Sequence, residues 1–402
     1  MISISEARDI VLENTSPCGS ERVDIGDATG RILAEQIVAH DDIPPFDNSA
    51  MDGYAVLSDD FSVIPVELRI IEDVPAGSTP QTTIIPGTCA RIMTGAQIPP
   101  GADSVTPVEW TSGFGNVGES VSINRAPVPG QHVRRVGEDV TAGTSLFGAG
   151  TAIRASMIGT LASLGYGRMS VALRPTVSVV ATGSELVEPG KSLSPGQIRN
   201  SNGPGLASLA RSAGADVIFE QVARDDYDET IATLRSASEA DILIVSGGVS
   251  VGSHDFVKEA LDQLGANLLF WRVRQKPGKP LLFGMMNNTL VFGLPGNPVS
   301  STVCFYQYVY PAIARFLGAD IGRLIRRARL ASPITKTGGL HYFVAGQSWL
   351  DEEGRLHVRR SGPQGSHVYS SIATADCIIH LDESIDSSPQ IGTLVDVEPL
   401  PC

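Results

Sequence analysis

The period of the apolar positions changes several times along the chain, and each change marks a new unit. Ser3 stands three residues before Glu6, the spacing of a helix N-terminal capping box, and an amphipathic stretch runs from there to Leu12. Residues 1–40 read as this helix, a turn and a second short helix, punctuated by Asp27 and Gly30. From about 41 to 136 short alternating segments such as 66–71 and 90–94 take over, broken by Pro44, Pro45, Pro75, Pro80, Pro86, Pro99, Pro100, Pro127 and Pro129, which predicts a small β-rich module. Helical spacing returns over 152–165 and stops at Gly165. The β-rich domain (41–136) therefore reads as inserted into a helical first domain made of 1–40 and 137–173.

From 174 to 322 the pattern becomes strand, helix, strand, helix. Apolar runs at 176–181, 217–222, 242–245 and 290–293 read as buried strands, with helical stretches near 203–213, 227–238 and 255–264 between them. Such alternation predicts a mainly parallel sheet covered by helices, an α/β domain. Residues 323–402 return to short strands with glycine-containing turns, a second small β domain. The expected fold class is α/β plus β, multidomain.

Composition narrows the function. At 402 residues the chain is too long for one core and implies two to four domains; 42 glycines and 26 prolines predict many tight turns. A formal charge of -14 argues against nucleic acid or an anionic membrane as the main partner, and leaves room for an anionic small molecule held by local basic groups or a divalent cation. Cys18, Cys89, Cys304, Cys377 and Cys402 are scattered and never form a C-x-x-C pair, the usage of a reducing compartment. With no basic leader followed by an apolar core, and no apolar run near the ~18 residues of a spanning helix, a cytoplasmic location is expected.

In an open parallel sheet ligands bind beyond the carboxyl ends of the strands. After the first run come Thr182, Gly183, Ser184 and Glu185, and later Asn200, Ser201 and Asn202; after the second, Arg224, Asp225 and Asp226. The third runs into Ser246, Gly247, Gly248, Val249, Ser250, Val251 and Gly252, then Asp255 and Lys258; the fourth into Gly293, Leu294, Pro295, Gly296, Asn297 and Pro298. Glycines let backbone N–H groups approach phosphate oxygens, and carboxylates beside a phosphate need Mg²⁺ between them. Any one such loop is more simply a turn; the four together predict a ligand site.

Lys276 and Lys279, on a turn stiffened by Pro277, Gly278 and Pro280, are point charges positioned for an anion, although a solvated surface turn explains them equally well. The same choice holds for Arg134 and Arg135 before Gly137, Glu138 and Asp139, and for the polar loop 47–54 around Asp52, which capping and turn formation also explain. Gly113, Gly115 and Gly118 satisfy G-x-G-x-x-G but precede a strand-like 119–123, and so read as a hairpin turn. Gly190, Lys191 and Ser192 end like a Walker A loop whose first glycine would fall at Glu185, which rules it out. The seven histidines show no ligand spacing.

Residues 45–55, 91–96 with 101–103, 135–139, 181–186, 196–202, 246–252 with Asp255, 276–280, 293–300 and 364–367, taken in order, resemble the molybdopterin molybdenumtransferase family, which also supplies the C-terminal domain of gephyrin. The resemblance covers nearly the whole chain. It implies four domains, an elongated homodimer, and a site between the α/β domain of one subunit and the β module of the other. It implies Mg²⁺-dependent cleavage of adenylated molybdopterin coupled to molybdate insertion at the dithiolene, with release of AMP. Carried over position by position, it gives Asp52, Thr94 and Asp139 on the first half, and Glu185, Asp225 and Asp255 as catalytic and metal-binding carboxylates. Ser246, Gly247, Gly248, Ser250, Lys276, Lys279, Pro295 and Pro298 are the substrate-binding positions.

Departures stand beside the resemblance. The family usually has Asp before the first-loop Glu, where this chain has Ser184, and often has arginines flanking an aromatic in the stretch here running from Gly339 to Val344. Lys336, Arg359 and Arg360 are the candidate substitutes, and a paralogue of altered activity is one reading of the change. The chain has no room for a fused adenylyltransferase, so the adenylate is expected from a separate protein. Two alternatives are a molybdopterin adenylyltransferase-like nucleotide enzyme, which would leave the β module idle, and a non-catalytic dimeric scaffold, which would have no need of carboxylates and lysines at strand ends.

Overall fold

Ser3 begins the fold as its spacing predicts. Its hydroxyl accepts the Glu6 N–H at 3.2 Å, while Glu6 Oε2 accepts the Ser3 N–H at 2.7 Å, closing the capping box on the helix Ile4–Glu13. This computed structural model describes residues 1–249, 256–319, 324–363, 365–385 and 387–400. Ile4, Ala7 and Val11 form the helix's buried face and pack with Ala312, Ile313 and Phe316, in the core of the α/β unit. Among the described residues no helix is long and apolar enough to cross a membrane.

The expected second helix before residue 40 is absent. Ser20–Asp24 is a strand paired antiparallel with Arg168–Ala172, Ile25–Asp27 is a single 3-10 turn, and Ile37–Val38 pairs with Ser145–Phe147. Gly26 and Gly30 leave no run long enough for a helix, and both pairing partners lie more than a hundred residues downstream, beyond the reach of local patterning. The helix Ala155–Ser163 forms as expected and closes this small core with Leu33, Ile37, Met157 and Leu161.

Between Ile43 and Val140, which bridge to one another, the chain builds a five-stranded sheet in the order Ser104–Pro107, Gly53–Val56, Thr88–Ile92, Val66–Val74, Ser120–Ile123. Its inner strand begins at Gly53, where an added Cβ would sit 2.0 Å from the Thr106 carbonyl oxygen, so only glycine permits the pairing. The Gly113–Gly118 stretch is a hairpin turn, as expected, with Ser112 N–H bonded to the Ser122 carbonyl.

The α/β unit carries a six-stranded sheet in the order Asp216–Ala223, Thr176–Thr182, Ile242–Ser246, Thr289–Leu294, Leu282–Met286, Asn267–Trp271. The first four strands are parallel and the last two antiparallel. Asp216–Ala223 is not the buried strand its composition suggested: as the edge strand it is covered on one side only, and its residues are exposed or half-buried until Ala223, which is buried. Strands 267–271 and 282–286 escaped the sequence pattern altogether. Apolar clusters pack both faces of the sheet, and the rings of Phe270, Phe283 and Phe292 stack across it at 5.5 and 4.9 Å.

In the tail, Arg326–Leu330, His341–Leu350, Leu356–Arg360, Cys377–Leu381 and Leu394–Pro399 close into a small barrel, since His341–Leu350 pairs with both Leu356–Arg360 and Cys377–Leu381. Gln275–Lys276 joins this barrel in parallel pairing with His341 and Tyr342, so a turn belonging to the α/β sheet is stitched into the tail domain. Phe283 is fully buried between two other rings. Phe283→Ala is expected to cost about 3–5 kcal/mol, read as a lowered denaturation midpoint in urea.

Candidate functional site

Four parallel strands release the chain at one level, and the loops beyond Thr182, Ala223, Ser246 and Leu294 bond to one another. Ser184 N–H donates to Asp225 Oδ2 at 2.9 Å, and Asp225 N–H donates back to Ser184 Oγ at 3.0 Å. Asn202 Nδ2 donates to Ser246 Oγ at 2.8 Å and to the Gly296 carbonyl at 2.7 Å, tying the second half of the first loop to the third and fourth. Gly247 N–H carries the ladder one step further, onto the Leu294 carbonyl.

Gly247 and Gly248 adopt φ of +98° and +64°. An added Cβ on Gly247 would lie 2.6 Å from Thr182 Oγ1, and one on Gly248 2.6 Å from Val257 Cγ2. The backbone is thus bare where Thr182, Ser246 and Gly296 converge. Thr182 Oγ1 and Asn202 Oδ1 are buried there with no hydrogen-bond partner among the described residues, and groups in that condition await one. Glu185 is exposed, with its carboxylate folded back against Gly183. Ser250 and Asp255 lie outside the described residues.

The antiparallel strands bring a fifth segment to the same rim, because Leu282 pairs with Gly293 at the end of the fourth strand. The turn before Leu282 holds Lys276 and Lys279. Beneath it Gln275 is buried, donating from Nε2 to the Gly278 carbonyl at 3.1 Å and accepting from the Tyr308 hydroxyl. Gly278, at φ +89°, has Cys304 Sγ 2.5 Å from where a Cβ would be. The turn is built from below, with its two lysines left exposed, and it walls a cavity of about 660 Å³ between the α/β sheet and the barrel. Pro295, Asn297, Tyr342, Arg360 and Ser366 line the other sides. Pro298, just behind, opens the helix Pro298–Cys304. Asn297 Nδ2 donates to Ser366 Oγ at 3.0 Å across the cleft, and Lys276 Nζ lies 5.1 Å from the Tyr342 ring centre. Burial would raise the Tyr342 hydroxyl; hydrogen bonds from Thr337 and the Lys276 charge outweigh it and hold it below the usual value.

The β module forms a separate cluster. Thr94 donates to Asp52 Oδ1 from its N–H at 2.6 Å and its hydroxyl at 2.7 Å, both residues being exposed. Arg135 ion-pairs with Asp47 at 2.6 Å and its N–H donates to Glu138, so that arginine braces its own loop. Asp139 is exposed, its N–H bonded to the Ile43 carbonyl. Among the described residues no hydrogen bond or ion pair joins Asp52, Thr94 or Asp139 to the strand-end loops of the same chain.

Histidines play structural parts: His341 Nε2 meets His380 Nδ1 at 3.2 Å, and His380 Nε2 meets Glu398 at 3.0 Å. Among the described residues no group of three or more His, Cys, Asp or Glu could hold a metal unaided. The sequence names Thr182, Asn202 and Gly296 only as members of the strand-end loops, and Arg360 only as one of three stand-ins for the family's arginines; it gives none of them a site role of its own. Position after strands is the signal available for the first three, and for Arg360 the signal is its place beside the altered stretch.

Three family models match the chain: the MoeA N-terminal region (domain I and II) over residues 2–165, the probable molybdopterin binding domain over 178–315, and the MoeA C-terminal region (domain IV) over 327–400. The chain is 39% identical to molybdopterin molybdenumtransferase 2 of Mycobacterium tuberculosis H37Rv, covering 96% of each chain. It is 36% identical to molybdopterin molybdenumtransferase of Haemophilus influenzae, covering 99% of this chain and 98% of the relative. Among solved structures, the molybdopterin biosynthesis MoeA protein of Pyrococcus horikoshii OT3 superposes with a TM-score of 0.82 at 30% identity over 100% of both chains.

The Thr94 amide, and then its hydroxyl, hold the Asp52 carboxyl below the usual carboxylate range. Because the folded value is depressed, the contact's stabilisation is present above the unfolded pKa of about 3.9 and fades as pH falls through the folded one. In an NMR titration, Thr94→Ala is expected to bring Asp52 only part of the way back to the ordinary value, since the amide donor remains.

Proposed function

Since the chain belongs to the MoeA family of molybdopterin molybdenumtransferases, transferases of molybdenum cofactor biosynthesis, we propose that it transfers molybdate into adenylated molybdopterin and releases AMP. One observation carries this reading. The bare glycine cradle, with the unpartnered buried hydroxyl of Thr182 able to donate into it, opens beside a basic cleft on the same rim. A phosphate-bearing substrate suits the first and an oxyanion the second.

Glu185 and Asp225 are the described carboxylates for Mg²⁺. Two carboxylates suit a cation that keeps most of its waters and leans on substrate phosphate, the usual mode of protein-bound Mg²⁺. Asp255 is the third, by family resemblance. When bound, Mg²⁺ supplies positive charge against the phosphate oxygens. Ser184, standing where the family usually has Asp, hydrogen-bonds reciprocally with Asp225 and so fixes that carboxylate's orientation. Gly248 offers a backbone N–H group, Ser246 and Thr182 offer hydroxyls, Gly247 keeps the turn bare, Ser250 is assigned to the same loop by family resemblance, and Pro295 and Pro298 stiffen the loop between cradle and cleft. Lys276 and Lys279 hold the anion.

The working unit is a homodimer, with Asp52, Thr94 and Asp139 of one subunit facing the strand ends of the other. Support comes from the exposed Asp52–Thr94 pair, which among the described residues has no hydrogen bond or ion pair to the rim of its own chain. The adenylate comes from a separate adenylyltransferase. A cytoplasmic setting suits the free thiols of Cys18, Cys89, Cys304 and Cys377; burial pushes Cys89 and Cys304 up to about 12 and leaves them unreactive.

AMP release from adenylated molybdopterin, assayed with and without molybdate and Mg²⁺, tests the proposal. Release should require Mg²⁺ and rise with molybdate, and Asp225→Ala should lower turnover at limiting Mg²⁺ by about 100-fold. Adenylate synthesis from ATP and molybdopterin would overturn it. The shared site has its own test, in doubly tagged heterodimers pairing Asp52→Ala with Asp225→Ala. A trans arrangement leaves one site whole and restores about half of wild-type activity if the sites act independently; a cis arrangement restores none.

A further inference from the structure

The cleft between sheet and barrel has a charge pattern that composition does not foretell. Lys276 and Lys279 stand on one wall and Arg360 on another, and among the described residues no aspartate or glutamate lines the cavity, in a chain of formal charge -14. Like charges gathered round one cavity repel one another, and a bound anion removes the repulsion. Leu340 and Val344 line the same space, in the stretch where resemblance leads one to look for arginines.

The three candidate substitutes for those arginines separate cleanly. Lys336 is buried, donates to the Ile385 carbonyl and lies 5.3 Å from the Tyr342 ring centre. Arg359 donates to Gln347 Oε1 from Nε and Nη2 at 3.2 and 3.1 Å, on the opposite face of its strand. Arg360 shares its face with buried Val358, by strand alternation, and lines the cavity. Its backbone is fixed: its N–H donates to Ser332 Oγ at 2.9 Å and it pairs with Gly346. Its guanidinium has no hydrogen-bond or ion-pair partner among the described residues.

We propose that Arg360 is the guanidinium that receives a tetrahedral oxyanion in this cleft, with Lys276 and Lys279 as the facing point charges. The inference deepens the reading of the cleft given above and rests on it. The guanidinium stands on Leu356–Arg360, the hydrogen-bonded neighbour of His341–Leu350, and gives the cleft a planar donor fork for two oxygens of one anion.

Titration calorimetry of the full-length protein with sodium molybdate alone reads this directly, with thermal melting as the fold control. Arg360→Ala should weaken molybdate binding by about tenfold or more, with an unchanged melting midpoint because the backbone bonds of residue 360 remain. Arg360→Lys should recover part of the affinity, and Arg359→Ala should bind as wild type. Unchanged binding in Arg360→Ala, with binding weakened in Lys279→Ala, would overturn the role of Arg360 alone. If Lys279→Ala and Arg360→Ala both bind molybdate as wild type does, or wild type itself shows no saturable binding, the anion reading of the whole cleft falls with it.

Discussion

The strand Ile242–Ser246 governs where chemistry can occur. It is hydrogen-bonded in parallel register on both sides, to Thr176–Thr182 and to Thr289–Leu294, and all five of its residues are buried. Ile242 and Ile244 belong to the apolar cluster on one face of the sheet, Leu243 and Val245 to the cluster on the other. No polar side chain fits along its length until Ser246. Parallel register then makes its neighbours end at the same level, and the polar groups of four loops collect in one plane because the strands beneath them exclude everything else.

Strand order also sorts those groups by charge. Asp225 follows the edge strand Asp216–Ala223 and Glu185 follows the next; the glycines and Ser246 follow the central strand; Pro295 and Asn297 follow the fourth; Lys276 and Lys279 precede the fifth. At ~4.8 Å per strand the rim runs from acid to base over roughly 19 Å. An anionic ligand lying along it meets a region needing a cation at one end and a region supplying cations at the other. The net charge of -14 gives no hint of this separation, which exists only once the strands are ordered.

That ordering also marks what the sequence could convey. Runs at 176–181, 242–245 and 290–293 announce themselves because parallel strands buried on both faces are continuously apolar. The 217–222 run reads the same way, yet Glu220 and Gln221 interrupt it, and those two polar residues are the local sign of an edge strand. Leu282–Met286 contains a glycine and two methionines, poor strand formers, and is held by its pairing with Thr289–Leu294 rather than by propensity. At the site, carboxylates, glycines and lysines were legible as residue types gathered after strands. Thr182 and Asn202 were not singled out, because what distinguishes them is an unpartnered oxygen in three dimensions. Arg359 and Arg360 are chemically identical neighbours, and only the phase of their strand assigns one to solvent and the other to the cleft.

The insertion of the β module has a consequence during synthesis. Leu33 and Ile37 of the first domain complete their core with Met157, Leu161 and Met169, which follow the whole module in the chain. A ribosome adding about 5–20 residues per second needs roughly 6–24 s to travel from Ile37 to Met157. During that interval the early half of the domain is outside the tunnel with its apolar side chains unmatched, while the module between can already close on its own sheet. Nascent chains whose last residue to leave the tunnel lies between 140 and 155 thus pair a finished insert with an unfinished host, and are the stage at which a holdase chaperone has most surface to grip.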